Sequence, residues 1–358
     1  MELIHFRVFT HKNIMNNKMR ILDCTLRDGG QGLEDLGKNG IQTDVFTLED
    51  RMKIASNLSS ASIDIIELGC MTKFDEQKEK YAIYKDIFEL SKCIPPRSKK
   101  NQMFVGLYIG PDTDLYKIPT YSPEFVEGIR VILRYSELDK SLHYCSELAK
   151  KGYKVFVQPM LTMRYSRDEL LKVIDAANEM NAYALYFVDS YGYMEQKDVE
   201  RIYRLYADKL DRNINIGFHA HNNMERAFSN AEYFIEELNG RSKIIDSCVM
   251  GMGQGAGNLQ TEIIVNYMNS KYNTEYDFEK ILEVCDCLTK FKMHEMSEWG
   301  YSVVRLLPAL YKTAYKYAVA MKNQYGMSLV EINRVLKKMP DDFKHRYTDN
   351  NLKKILGI

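Results

Sequence analysis

At 358 residues, with 49 basic against 49 acidic side chains and 45% hydrophobic residues, the chain can form one large α/β domain with an appendage and has no net field to attract a polyanion. No nucleic-acid or membrane partner is expected, because the longest apolar runs, such as "YALYFV" and "SVVRLLPALY", fall far short of the ~20 residues a membrane span needs. Seven cysteines (Cys24, Cys70, Cys93, Cys145, Cys248, Cys285, Cys287), odd in number and mostly set in apolar runs, are expected as free thiols in a reducing cytoplasm.

Residues 1–19 have neither an uninterrupted apolar stretch nor a small-residue cleavage site, and read as a tail rather than a secretory leader. From there β-rich runs alternate with stretches of helical period. The strands are "ILDCT" from Ile21, "IDIIELG" from Ile63, "FVGLYI" from Phe104, "IRVILRY" from Ile129, "KVFVQPM" from Lys154, "ALYFVDS" from Ala184, "INIGFHAH" from Ile214 and "IIDSCVMGM" from Ile244. Amphipathic segments such as "TLEDRMKIASNLSSA" and "SRDELLKVIDAANEM" fill most connections, several opening on a Ser, Thr or Asn cap. The third connection is the weak one, since "PTYSPEFVEG" offers barely one helical turn. Eight such units predict an α/β fold, a (β/α)₈ TIM barrel over residues 20–268, with a C-terminal helical appendage over 269–358. A doubly wound sheet is the alternative, but no G-x-G-x-x-G follows the first strand.

A barrel of this kind carries its chemistry at the C-terminal ends of its strands, and here those ends are polar. The first ends in Arg27 and Asp28, the second in Glu67, the fourth in Arg134, the fifth in Gln158, the sixth in Asp189 and Ser190, the seventh in His219 and His221. The two histidines lie two apart on a strand, so both imidazoles face one side while Phe218 and Ala220 face the other. With the Asp28 carboxylate they make two neutral nitrogens and one hard oxygen, a set that suits a divalent ion with open positions. The Arg27–Asp28 pair is followed by Gly29 and Gly30, expected to let the chain turn tightly. The glycines of "GMGQGAGN", Gly253 and Gly255 among them, let backbone amides approach an anion closely.

"TLRDGGQ", "VDSYG", "FHAHNN" and "GMGQGAGNLQTE", in this order and at these strand ends, resemble the DRE-TIM metallolyases. That group includes hydroxymethylglutaryl-CoA lyase, isopropylmalate and homocitrate synthases, and 4-hydroxy-2-oxovalerate aldolase, to which the likeness is nearest. The resemblance implies a metal held by Asp28, His219, His221 and Asn258, with Arg27 facing the developing enolate oxygen. It also implies a catalytic tyrosine at Tyr301, in "EWGYSVV". Gln31, Glu67, Arg134, Gln158, Asp189, Ser190, Gly253 and Gly255 complete the expected substrate-binding set. Those aldolases carry a basic histidine soon after the Arg-Asp pair, where this chain has Gly30, Gln31 and Gly32; His143 and His294 are substitutes that no motif places.

The expected activity is that of a divalent-metal-dependent carbon–carbon lyase or aldolase acting on a 2-oxo acid of the pyruvate type through an enolate held at the metal. Mn²⁺ or Mg²⁺ is expected over Zn²⁺, because the ligand set is oxygen-rich and contains no thiolate. A homo-oligomer is expected. Two alternatives stay open: an acyl-CoA-dependent Claisen condensing enzyme of the isopropylmalate or homocitrate synthase type, and a non-catalytic barrel serving as a binding subunit.

Overall fold

The computed structural model describes residues 19–38, 44–71, 79–109, 111–237, 240–292 and 299–358. Of the expected tail, residues 1–18 lie outside the described residues, and Met19 opens the first strand. The barrel strands are β1 (Met19–Asp23), β2 (Ile65–Met71), β3 (Met103–Ile109), β4 (Gly128–Leu133), β5 (Lys154–Pro159), β6 (Ala184–Asp189), β7 (Asn215–Ala220) and β8 (Lys243–Ser247). Each pairs in parallel with its neighbours, and the sheet closes on itself where β1 meets both β2 (Leu22 opposite Ile65) and β8 (Met19 opposite Lys243). All eight expected strands are present, with ends that differ by a few residues. A short additional strand, Ile83–Tyr84, pairs with the outer end of β2.

Closure follows from the residues. The interior is filled by inward-facing side chains, among them Leu22, Cys24, Ile65, Val105, Phe156, Tyr186, Ile244 and Cys248. The outward faces of the strands pack under the helices; Phe218, for example, stacks on Phe187 with ring centroids 4.5 Å apart. The helices Leu48–Ser60 and Arg167–Glu179 open on capping boxes at Thr47 and Ser166, each satisfying orphan backbone donors of the first turn. The third connection forms a single helical turn, Leu115–Lys117, which Pro119 and Pro123 keep from extending.

Past the barrel the chain stays helical. Helix Phe278–Lys292 shares the barrel's own core through Ile281, Val284, Leu288 and Phe291. The helices from Val303 onward build a second core around Leu307, Tyr317, Met321, Ile332, Leu336 and Leu352. Among the described residues no helix is long and apolar enough to cross a membrane, and all seven cysteines are free thiols.

One interior glycine makes room for an aromatic ring. A Cβ on Gly217 of β7 would run into the Tyr186 ring on β6, and that ring supports the Arg130 guanidinium at 5.0 Å. Gly217→Ala should therefore lower stability by about 1–3 kcal/mol, the usual cost of overpacking. Chemical denaturation reads this directly, and an unchanged midpoint would show that the ring has room to move.

Candidate active site

Beyond β1 the chain enters a π-helical turn, Thr25–Gly29, which runs on as helix Gly30–Lys38. Arg27 and Asp28 sit in this turn, both buried, and irregular helical turns of this kind recur at functional sites. The following glycines do not serve the expected tight turn, since Gly30 has ordinary helical dihedrals. They are required for close packing: a Cβ on Gly30 would strike the Tyr81 carbonyl, and one on Gly29 would lie 2.7 Å from Met252 Sδ.

The first strand end faces the seventh. Asp28 Oδ2 lies 3.3 Å from His219 Nε2 and 4.0 Å from His221 Nε2, and the two imidazoles are 4.9 Å apart. Each ring is fixed from behind. His219 Nδ1 meets the Asp246 carboxylate at 2.9 Å, and His221 Nδ1 lies 3.0 Å from the Asp189 carbonyl oxygen. A carbonyl can only accept, so Nδ1 of His221 carries its proton and Nε2 presents a lone pair to the site. Asn258 is bridged to His221 by backbone pairing, and its amide nitrogen donates to the Met252 carbonyl at 3.2 Å. Gly253 must lack a side chain, because a Cβ there would collide with the Asn258 amide while lying 3.5 Å from Asp28 Cγ.

Two buried oxygens in this cluster lack a well-formed hydrogen bond: Asp28 Oδ2, which has only the ion-pair contacts with Arg27 and His219, and Asn258 Oδ1. A buried acceptor without a partner is costly. Two of them beside two imidazole nitrogens form a donor set that fits a divalent ion. Burial alone would raise the Asp28 carboxyl, but the charge of Arg27 and contacts with both imidazoles hold it well below the usual carboxylate range. His221 is pushed down to about 4, by burial first and then by the charge of His219. Burial also opposes protonation of His219, yet hydrogen bonds to Asp246, Asp28 and Cys24 raise it well above an ordinary histidine. Cys24 was not expected here: its Sγ, an Asp28 oxygen and a His219 nitrogen lie within 4.8 Å of one another, and the thiol also contacts Cys248 Sγ at 3.2 Å.

A line of buried charge lies beneath the cluster. Arg27 Nε donates to Glu67 Oε2 at 2.8 Å, and its Nη1 lies 3.2 Å from Asp28 Oδ2 and 3.3 Å from Gln31 Oε1. Arg130 donates to the same Glu67 oxygen at 2.6 Å and, through Nη2, to Asp246. Gln158 faces the Arg130 guanidinium, its amide oxygen accepting from Nε at 2.9 Å.

The other expected residues lie elsewhere. Arg134 stands half-exposed at the rim, paired with Asp112 and Glu137. The Asp189 carboxylate accepts from the Tyr193 and Met194 amides, and burial pushes it up to about 7. Ser190 Oγ accepts from the Leu161 amide at 2.8 Å. Gly255, at φ +65°, leaves room for the Tyr315 ring. Tyr301 is 54% exposed, two residues beyond Trp299, whose indole donates to the Met250 carbonyl at 2.7 Å. His143 is exposed on helix Leu138–Lys150, and His294 lies outside the described residues. Sequence reading missed Arg130 and Asp246, although each is a charge set beside apolar strand residues, "GIRVIL" and "KIIDS", and that is the available signal.

The HMGL-like family model matches residues 18–288. The 4-hydroxy-2-oxovalerate aldolase of Carboxydothermus hydrogenoformans is 30% identical over 284 residues, 78% of this chain and 79% of that protein. The enzyme of the same name from Moorella thermoacetica is 28% identical over 315 residues, 86% of each. The structure of hydroxymethylglutaryl-CoA lyase from Pseudomonas aeruginosa superposes with a TM-score of 0.60 at 15% identity, covering 78% of this chain and 95% of that one, a likeness of fold. A closed parallel barrel, a carboxylate and two histidines converging at its mouth, and a family match over most of the length agree: the chain belongs to the HMGL-like family and is an aldolase-like lyase.

Proposed function

We propose that the protein makes or breaks a carbon–carbon bond next to the ketone of a pyruvate-type 2-oxo acid. The observation that carries this reading is the convergence of the Asp28 carboxylate with His219 and His221, the Arg27 guanidinium 3.2 Å from Asp28 Oδ2. Asp28, His219, His221 and Asn258 would hold a divalent ion, Mn²⁺ or Mg²⁺ in this reading, and the ion would supply Lewis-acid polarisation of the substrate ketone. Arg27 supplies fixed positive charge where the enolate oxygen develops, in a buried setting where such charge acts strongly. Glu67 and Gln31 aim that guanidinium. In this reading residues 20–268 carry the chemistry and the helices of 269–358 cover it from water. The relatives named as aldolases support the substrate class, and the free thiols support a reducing, cytoplasmic setting.

Two tyrosines are proposed for proton transfer. Tyr301 is favoured by its position in the appendage segment that Trp299 ties to the mouth loop. Tyr315 is favoured by its ring against Gly255 and its hydroxyl 3.3 Å from Asp35 Oδ2. The test is deuterium exchange at the carbon beside the ketone, followed by NMR with Mn²⁺-loaded protein and pyruvate or other 2-oxo acids in D₂O. Exchange is expected in the parent and absent after chelation or in His219→Ala. It should be at least about tenfold slower in Arg27→Lys, because an ammonium cannot reproduce the planar fork, and in whichever of Tyr301→Phe and Tyr315→Phe removes the working hydroxyl. No exchange with any 2-oxo acid would sink the reading.

Metal binding should also depend on pH with a defined sign. A divalent ion must displace the Nε2 proton that a charged His219 directs at Asp28, Nδ1 keeping its own toward Asp246, so apparent Mn²⁺ affinity rises with pH, about tenfold per unit until the raised pKa of His219 is passed. His221, already neutral above about pH 5, adds no slope there. Titration calorimetry across this range checks the sign, and a flat or falling profile would return His219 to a structural ion pair.

A further inference from the structure

We propose that Arg130 is a positioning residue that ties the two working halves of the site together, aiming Arg27 through Glu67 and His219 through Asp246. The inference rests on the metal and enolate roles proposed above.

Arg130 is fully buried at the middle of β4. Glu67 Oε2 receives Arg130 Nη1 at 2.6 Å and Arg27 Nε at 2.8 Å. Asp246 Oδ2 receives Arg130 Nη2 and meets His219 Nδ1 at 2.9 Å. Each carboxylate thus serves both neighbours through one shared oxygen, while Glu67 Oε1 and Asp246 Oδ1 have no hydrogen-bond partner. Sharing one oxygen makes the position of each outer group depend on where Arg130 holds it.

The ends of this line meet again at Asp28, whose Oδ2 lies 3.2 Å from Arg27 and 3.3 Å from His219. Asp28, Arg27, Glu67, Arg130, Asp246 and His219 therefore form a closed ring in which acidic and basic groups alternate. Two arms of one planar guanidinium span the ring from β2 to β8, a geometry that a lysine ammonium cannot match. Gln158 on Nε and the Tyr186 ring at 5.0 Å hold the fork in place.

The test compares the parent with Arg130→Lys, which keeps the charge and loses the fork. Mn²⁺ affinity is measured without substrate, and deuterium exchange into a 2-oxo acid is measured at saturating Mn²⁺. Changes behind a ligand typically cost 10–100-fold in metal affinity or activity, so Arg130→Lys should weaken Mn²⁺ binding about tenfold or more. It should also slow saturated exchange about tenfold or more, with KM for the 2-oxo acid changed less than about threefold. A merely structural residue would lower the melting temperature and leave both quantities alone; values within about twofold of the parent overturn the proposal.

If Arg130→Lys does not unfold cooperatively, Gln158→Leu gives the reading instead, since it loosens the fork without touching a proposed ligand. A loss of Mn²⁺ affinity of about two- to tenfold supports the role, and an unchanged affinity overturns it. A parent that binds no Mn²⁺ overturns the proposed function together with this role, whereas a parent that binds and exchanges beside an unaffected variant overturns this role alone.

Discussion

The barrel depends on how it accommodates buried charge. Asp28, Arg27, Glu67, Arg130, Asp246 and His219 are all at or below 5% exposure, in an interior otherwise filled by groups such as Val105, Phe156 and Ile244. An isolated ion in such a place costs several kcal/mol, and removing one partner of a buried pair leaves the other uncompensated. The arrangement is tolerable because it closes on itself, each group lying between two of opposite sign. Closure requires β2, β4, β7, β8 and the turn after β1 to present their side chains at one depth, so the shear of the barrel and the electrostatics of the site constrain each other.

This dependence explains which parts could be read from the chain. The eight strands, the paired imidazoles of His219 and His221, and the Arg27–Asp28 step all follow from local patterns of period two and from strand ends. The ring does not, because its members are up to 219 positions apart, Arg27 opening the list and Asp246 closing it, and their meeting is set by register across closed strands. Arg134 and Arg130 show the difference. They lie four apart, so they share a face of an extended chain, and a rule that favours strand ends selects Arg134. The structure leaves Arg134 at the rim with Asp112 and buries Arg130 in the ring. A charge in the middle of an apolar strand was the stronger signal, since it demands a partner.

Helical period could not say which core a helix joins. Phe278–Lys292 and the helices from Val303 onward look alike as amphipathic segments, yet the first packs Phe291 against Phe46 of the barrel and the others enclose their own core. The two glycines after Asp28 were legible as a backbone requirement but not as its kind. Positive φ and the absence of room for a Cβ both select glycine, and only the nearness of Tyr81 and Met252 shows that the second applies.

The appendage touches the elements that border the site. Lys316 pairs with Asp35 at 2.7 Å, the Tyr191 hydroxyl donates to the His345 carbonyl at 3.1 Å, and the Trp299 indole donates to Met250. These contacts join the chain beyond the barrel to helix Gly30–Lys38, to the end of β6 and to the loop after β8, the elements that border Asp28, His221 and Asn258. In the proposed reading, in which the appendage covers the mouth, the local dielectric falls and each charged contact below it is strengthened. Such a cover would make an under-satisfied acceptor more costly, so the Asp28 and Asn258 oxygens that lack a well-formed hydrogen bond are where an incoming cation would gain the most.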